Sequence, residues 1–148
     1  MWARFIPGII GVFMLLSAFN WLIDPSAAAE GLAMSLLEGE GGNTQIGDFT
    51  SFFFTAGLMS ICLNKLGVPS RSWMGWQIPI ITSDSHRNAV IKRVIPDAIL
   101  RNFDDKKVAV VAGFQGISSD GRITTIGRGG SDNTAVYIAA ALNAERCD

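Results

Sequence analysis

A glycine-rich segment near the C-terminus holds the residues best suited to chemistry. It reads Thr-Thr-Ile-Gly-Arg-Gly-Gly-Ser-Asp and ends at Asp132. Glycines let the backbone turn sharply and bring its N–H groups close to a bound anion, and a helix N-terminus that follows adds partial positive charge. Arg128 can bind a carboxylate through two parallel hydrogen bonds, and Asp132 can accept from an ammonium group. The segment therefore predicts a pocket for an amino acid zwitterion.

A purely structural interpretation of the same residues stays open from spacing alone. In that interpretation Ser131 caps a helix, Asp132 is a favourable acid in its first turn, and Arg128 is a solvated loop residue. Neither GxxxxGK[ST] nor GxGxxG occurs in the chain. A P-loop or a Rossmann dinucleotide site therefore has no support.

The elements around the glycine-rich segment indicate a sheet layered with helices. TAGLMSICLNKLG, which starts at Thr55, predicts an amphipathic helix with Gly67 as its C-cap. The composition and periodicity that follow predict a strand pair or an extended segment over 71–81, strands over 89–95, 107–114 and 122–126, and helices over 96–103 and 131–143. Residues 107–114 are expected to form a buried strand of the parallel type.

The N-terminal part has a different composition. Up to Leu58 one basic residue stands against five acids, whereas the remainder holds eleven basic and eight acidic residues. The uncharged stretch from Phe5 to Ile23 is long enough to cross a bilayer as a helix. A secretory signal peptide and a buried core helix are the alternatives. The residues from Asp24 to Gly47 are predicted to form a loop.

Bulk composition excludes two classes of function. The net charge is −1 and no run of Lys or Arg occurs, so no nucleic-acid partner is predicted. Cys62 and Cys147 lack a CxxC or Cys/His companion. Neither a metal site nor a disulfide framework is predicted from them.

Two stretches closely resemble bacterial aspartate kinases. They are TAGLMSICLNKLGVPSRSWMGWQIPI with the TSDSH that follows, and VAVVAGFQGISSDGRITTIGRGGSDNTAVYIAAALNAERC. The combination of GFQGI, DGRITT and GRGGSD is highly specific for that family within the amino acid kinase fold. The stretch WLIDPSAAAEGLAMSLLEGEGGNTQIGDFTSFFF is similar instead to small bacterial membrane proteins with four helices and no known activity.

The two resemblances together give an expected fold class and domain organisation. The class is α/β, with a partial amino acid kinase fold, truncated at both ends, over residues 55–148. A transmembrane-type helix and a loop are expected over residues 1–54. The kinase resemblance implies a cytoplasmic location, with membrane association if residues 5–23 insert.

The kinase resemblance implies ATP-dependent phosphorylation, with Mg²⁺, of the side-chain carboxylate of L-aspartate, on the route to lysine, threonine and methionine. Arg128 would hold the substrate α-carboxylate and Asp132 its α-ammonium. The whole set expected to bind substrate is Phe114, Arg128, Gly129, Gly130, Ser131 and Asp132. Pairing with intact kinase subunits is a further expectation, and His86, at a position where the family often has histidine, is expected to be structural.

Departures from the family pattern predict a chain that is inactive by itself. Family members open with a Lys-Phe-Gly-Gly-Thr-Ser type loop, which does not occur here, and their Gly-Glu-Gln-Val before TAGL reads Ser-Phe-Phe-Phe. The substrate-binding acid is thereby replaced by Phe52. The nucleotide-binding segment of the family would follow Cys147-Asp148, where this chain stops. The alternative function is a small membrane protein with a passive kinase-derived tail.

Overall fold

The computed structural model describes residues 6–32, 35–85 and 87–148. The chain falls into two units: unit 1 holds the residues up to Ser72 together with Lys107–Val110, and unit 2 holds Trp73–Lys106 and Val111–Asp148. The elements of the described residues, in chain order, are α1 (Ile6–Ile23), α2 (Pro25–Gly31), α3 (Glu40–Lys65), β1 (Ser70–Trp73), β2 (Ile80–Thr82), β3 (Ile91–Val94), α4 (Asp97–Asp104), β4 (Val108–Val111), β5 (Gln115–Ile117), β6 (Ile123–Thr125) and α5 (Gly130–Ala141).

In unit 1, α1 and α3 form an antiparallel helical pair. Gly11 lies against Gly57 and Ile61 near one end, and Trp21 stacks on Phe49 near the other, with ring centroids 4.9 Å apart. A Cβ atom on Gly57 would lie 2.8 Å from the carbonyl oxygen of Gly11, so the close approach depends on glycine. The buried apolar side chains of the pair are Met14, Ala18, Trp21, Phe49, Phe53 and Ala56.

The loop predicted between Asp24 and Gly47 is wrong over much of its length. α2 begins directly after Asp24, whose side chain accepts the N–H of Ala27 at 3.0 Å, and Pro25 occupies the first helical turn. α3 then begins at Glu40 and runs without a break through the residues predicted to start a helix at Thr55. Glycine within a helix costs about 1 kcal/mol per residue, and packing against α1 outweighs that cost.

The end of α3 follows the prediction. Gly67 has a φ of +79°, the left-handed conformation that ends many helices. Its N–H donates to the carbonyl of Asn64 at 3.1 Å, and the N–H of Val68 donates to the carbonyl of Leu63 at 2.9 Å. These two bonds form the Schellman pattern, so the predicted C-cap at Gly67 is confirmed.

Asn64 ties the last turns of α3 to β1. Its Nδ2 donates to the carbonyl of Ser60 at 2.7 Å and to the carbonyl and Oγ of Ser70 at 3.0 and 2.7 Å. Ser60 and Ser70 are fully buried, and their hydroxyls lie 3.2 Å apart. This buried polar network fixes the helix end against the first strand.

β1 and β4 form a two-stranded sheet. The N–H of Val108 donates to the carbonyl of Pro69, and the N–H of Ala112 donates to the carbonyl of Trp73. From the first of these bonds to the second, residue numbers rise in both strands, so the two strands run parallel. The parallel strand predicted over 107–114 is therefore present, but it is shorter, and only Val110 of its valines is buried.

In unit 2, four strands form a sheet in the order β3-β2-β5-β6. β2 runs antiparallel to β3 and parallel to β5, and β5 runs antiparallel to β6. The strand pair or extended segment predicted over 71–81 thus forms two strands, which belong to different sheets and do not pair with each other. α5 packs against β3, and a core cluster of Ile80, Ile91 and Ile126 contacts Val94 and Ile138. This layering of helix on sheet matches the predicted fold class.

Candidate functional site

The glycine-rich segment connects β6 to α5 in unit 2. Ile126 bridges to Ala89 at the end of β6, and Gly129 then caps α5 with a φ of +72° and a ψ of 18°. A side chain at Gly129 would be strained in this left-handed conformation. Ser131 is therefore inside the helix, and the interpretation of Ser131 as its N-cap is wrong.

The first turn of α5 presents backbone donors. Its first hydrogen bond runs from the N–H of Asn133 to the carbonyl of Gly129 at 3.0 Å. The N–H groups of Gly130, Ser131 and Asp132 therefore have no acceptor within the helix. Because α5 continues for three turns to Ala141, its dipole adds partial positive charge at this end. The arrangement is able to bind an anion.

Phe114 precedes β5 and faces the start of α5. Its φ is +69°, which is unusual for a residue with a large side chain. Its carbonyl accepts the N–H of Ile126 at 2.9 Å, and its N–H donates to Oγ1 of Thr134 at 3.2 Å. A Cβ atom on Gly130 would lie 2.7 Å from Cδ2 of Phe114. The ring thus lies on the backbone of the first helical turn.

Ser131 lies beside the same strand entry. A Cβ atom on Gly113 would be 3.3 Å from Cα of Ser131 and 3.6 Å from its Oγ. The two backbones therefore approach closely where β4 leads into β5. Of the residues predicted from sequence, the structure brings Phe114, Gly130 and Ser131 together, with Gly129 adjoining them.

Arg128 and Asp132 flank this cluster on the surface. Both side chains are exposed, and within the ranges that the structure describes neither takes part in an ion pair. They are positioned by the backbone, since Arg128 directly precedes the Gly129 cap and Asp132 lies in the first helical turn.

Sequence reasoning missed Thr134. Its side chain is 2% exposed, and its Oγ1 donates to the carbonyl of Gly130 at 2.7 Å while accepting from Phe114. A threonine one helical turn after a glycine was visible in the sequence. The contact with Phe114, twenty residues earlier, was not.

The described residues supply no metal site of their own. In those ranges no three His, Cys, Asp or Glu side chains gather so that they could hold a metal ion, and His86 lies outside the described residues. Magnesium in phosphoryl-transfer sites is commonly held by one or two carboxylates together with substrate phosphates and water.

Comparison of sequences gives a family match and a set of relatives. The model of the amino acid kinase family matches residues 47–148. The chain is 40% identical over 94 residues to an aspartokinase of Rickettsia conorii and 48% identical over 94 residues to an aspartokinase of Bacillus sp. strain MGA3. Each alignment covers 64% of this chain and 23% of the relative. The chain thus spans about a quarter of the length of the curated relatives it matches.

Comparison of structures extends the likeness. A crystal structure of E. coli aspartokinase III in complex with aspartate and ADP matches with a TM-score of 0.61 and 26% sequence identity. The match covers 86% of this chain and 28% of that one. This share of the chain exceeds the 64% that the sequence alignments cover. Part of the first 54 residues therefore also follows the backbone of the solved kinase.

Proposed function

Because the chain belongs to the amino acid kinase family, we propose that it carries the substrate-side part of an aspartate kinase catalytic domain and binds L-aspartate where β6 meets α5. One observation carries this proposal: the first turn of α5 offers backbone N–H groups without helical acceptors, and oppositely charged exposed side chains stand on either side of it. An anion with an adjacent cation matches these groups, and an α-amino acid carries both.

Each side chain has a specific role in this proposal. The guanidinium of Arg128 and the N–H groups of Gly130 and Ser131 bind the α-carboxylate. The carboxylate of Asp132 accepts from the α-ammonium group. The ring of Phe114 forms an apolar wall that limits water at the bound amino acid and strengthens these charged contacts.

The side-chain carboxylate of the bound aspartate is the group that aspartate kinases phosphorylate. In those enzymes ATP with Mg²⁺ supplies the phosphoryl group. Aspartokinase III of E. coli holds aspartate and ADP together in its crystal structure. For this chain the proposal extends to substrate binding, and phosphoryl transfer by the purified chain is not expected.

Isothermal titration of the full 148-residue chain with L-aspartate tests the proposal. We expect saturable binding, which Arg128→Ala weakens by about ten- to a hundredfold because a charge-assisted hydrogen bond contributes about 1.5–3 kcal/mol. Arg122→Ala is a matched control, since Arg122 is exposed on the turn before β6. A folded chain that fails to bind L-aspartate would overturn the proposal.

Two ligand analogues separate the roles of the charged residues. Succinate lacks the α-ammonium group, so Asp132→Asn should weaken L-aspartate much more than succinate. β-Alanine lacks the α-carboxylate, so Arg128→Ala should weaken L-aspartate much more than β-alanine. Equal losses for all three ligands would contradict the assignment, because each side chain would then act without regard to its proposed partner group.

A second candidate function, a membrane anchor with a passive kinase-derived tail, is favoured by the outer face of α1. Large apolar side chains there are 49–81% exposed, a patch that is unusual on a monomeric soluble protein. Among the described residues, Gln45–Lys65 is the one helical stretch with the length and composition to cross a bilayer, and Gly11–Ile23 is a shorter apolar helix. By themselves these two properties are weak support, since core helices share them. The exposed side chains of α1 are Ile9, Val12, Phe13, Leu16, Phe19, Leu22 and Ile23.

The antiparallel arrangement limits how such an anchor could work. If α1 and α3 both inserted, the chain after Lys65 would return to the side on which α1 begins. Insertion of α3 would, however, bring the start of β1 towards the bilayer core, because Ser60 and Asn64 hold Ser70 against the helix end. An open strand edge is not tolerated in that environment. This candidate therefore rests on α1.

Flotation of the full chain with phospholipid vesicles tests the anchor. Comigration that Leu16→Glu abolishes would support it, and Val136→Glu on α5 is a control at a similarly exposed apolar position. A chain that stays in the soluble fraction would remove this candidate. Either outcome of the flotation experiment leaves the expected binding of L-aspartate unchanged.

A further inference from the structure

Thr134 connects the two segments that line the proposed pocket. Its buried hydroxyl donates to the carbonyl of Gly130 in the first turn of α5 at 2.7 Å. The same oxygen accepts the N–H of Phe114, before β5, at 3.2 Å. The hydroxyl is therefore a bridge between a strand entry and a helix start.

The backbone of Phe114 needs such a bridge. A left-handed φ of +69° is disfavoured by about 1–2 kcal/mol for a residue with a Cβ atom. A residue keeps a disfavoured conformation only when its surroundings determine it. Here the carbonyl is held by Ile126, the N–H is held by Thr134, and the ring is held against Gly130. Among these three restraints, the bond to Thr134 is the one made by a polar side-chain group.

We propose that Thr134 is a positioning residue that pre-organises the aspartate pocket through its hydroxyl. It fixes the conformation of Phe114 and the first turn of α5 in one arrangement before ligand arrives. The N–H groups of that turn, Arg128 and Asp132 are then aimed at the ligand without further ordering cost. Thr134 is buried and need not touch the amino acid itself. This inference rests on the proposed function.

Two substitutions separate the hydroxyl from the packing of Thr134. Thr134→Val keeps the branched shape and removes the hydroxyl, which leaves the N–H of Phe114 without this acceptor. Thr134→Ser keeps the hydroxyl and removes only a methyl group. We expect Thr134→Val to raise the Kd for L-aspartate about tenfold, as the loss of one pre-organising hydrogen bond implies. Thr134→Ser should stay close to wild type.

Thr82→Val is the control for general loss of stability. Thr82 is also buried in unit 2, and its hydroxyl lies 2.5 Å from that of Thr124 within the sheet. The substitution removes a buried hydroxyl of the same kind outside the β6–α5 connection. It should lower the unfolding midpoint and leave the Kd for L-aspartate unchanged.

Amide hydrogen exchange gives a readout that needs no ligand. In the free chain, Thr134→Val should accelerate exchange at Phe114 and at Asn133, the first hydrogen-bonded amide of α5, by about tenfold, because local opening no longer breaks the bridging bond. Thr134→Ser and Thr82→Val should leave exchange at these positions unchanged. A merely structural role would raise exchange throughout unit 2 in both valine variants.

The outcomes distinguish failure of the inference from failure of the proposed function. Wild-type binding with an unchanged Kd in Thr134→Val would overturn the inference and leave the proposed function in place. Equal weakening by Thr82→Val, or by Thr134→Ser, would also overturn it. A folded wild-type chain that does not bind L-aspartate would overturn the proposed function and the inference together.

Discussion

Gly129 and Gly130 are adjacent glycines that meet different physical constraints. Gly129 has a φ of +72°, and a Cβ atom added to it would meet nothing within 4 Å. A Cβ atom on Gly130 would lie 2.7 Å from Cδ2 of Phe114 and 3.0 Å from Cβ of Ile126. The first position requires glycine for its backbone conformation, and the second requires it for space.

Alanine substitutions should separate these two constraints. Gly129→Ala is expected to lower the free energy of unfolding by about 1–2 kcal/mol through backbone strain. Gly130→Ala is expected to cost about 1–3 kcal/mol through overpacking and, in addition, to displace the ring of Phe114 and weaken L-aspartate binding. Urea unfolding and titration of both variants measure the difference. If Gly130→Ala bound aspartate as tightly as the unaltered chain, the ring of Phe114 would not form a wall of the pocket.

At the residue scale, the sequence indicated the charged and glycine positions but not what holds them. Arg128, Gly129 and Asp132 were recognisable because turn glycines and flanking charges are local features. The role of Thr134 was not, because its hydroxyl bonds a backbone N–H twenty residues away. The left-handed conformation of Phe114 was not predictable either, because a large side chain gives no local preference for it.

At the element scale, α3 carries a polar anchor at its C-terminal end. Asn64 donates to the carbonyl of Ser60, within the helix, and to the carbonyl and Oγ of Ser70 in β1. Its Oδ1 also accepts the N–H of Ser70 at 3.3 Å. One side chain thus satisfies several buried polar groups of a neighbouring strand.

Asn64→Ala should therefore destabilise the chain more than its small change in size suggests. Removal of the amide leaves the buried backbone and hydroxyl of Ser70 with fewer partners, at a cost of about 2 kcal/mol. Asn43→Ala is the matched control, because Asn43 is an exposed residue of the same helix and alanine favours helix there. Circular dichroism during urea unfolding measures both. A loss no larger than that of the control would contradict the anchoring role of Asn64.

The two ends of α3 differed in how well the sequence predicted them. Its C-terminal end was predictable because Gly67 is a local stop signal. Its N-terminal part was not, because the glycines after Glu40 favour a loop locally. Their helical conformation follows from packing of Phe49 and Phe53 against α1, a tertiary effect that overrides propensity.

At the scale of the whole molecule, sequence comparison and structure comparison match different lengths of the chain. The curated relatives align over 94 residues, the family model begins at residue 47, and the match to aspartokinase III covers 86% of the chain. The boundary predicted between residues 54 and 55 lies within α3 and stays a prediction. Fold likeness thus reaches further along the chain than sequence likeness does.

The purified chain should not phosphorylate aspartate. Phe52 stands where the family pattern has a substrate-binding acid, so one of the groups expected to hold the substrate ammonium is replaced by an apolar ring. Incubation with ATP, Mg²⁺ and L-aspartate, with hydroxylamine to trap an acyl phosphate, should give no hydroxamate above background. An intact aspartate kinase serves as the positive control. Hydroxamate that Arg128→Ala abolishes would contradict the prediction.

Because α3 is unbroken through residue 54, insertions and deletions near that position change how the two halves of the helix are oriented. A helix rotates by about 100° per residue, so deletion of one residue near that position would turn Phe49 and Phe53 away from the face on which Gly57 lies. Insertion of seven residues would restore the orientation to within about 20°. Such an insertion would also lengthen α3 by about 10 Å. Gly57 could then not oppose Gly11 while Phe49 stacks on Trp21, so a variant of either kind should destabilise unit 1.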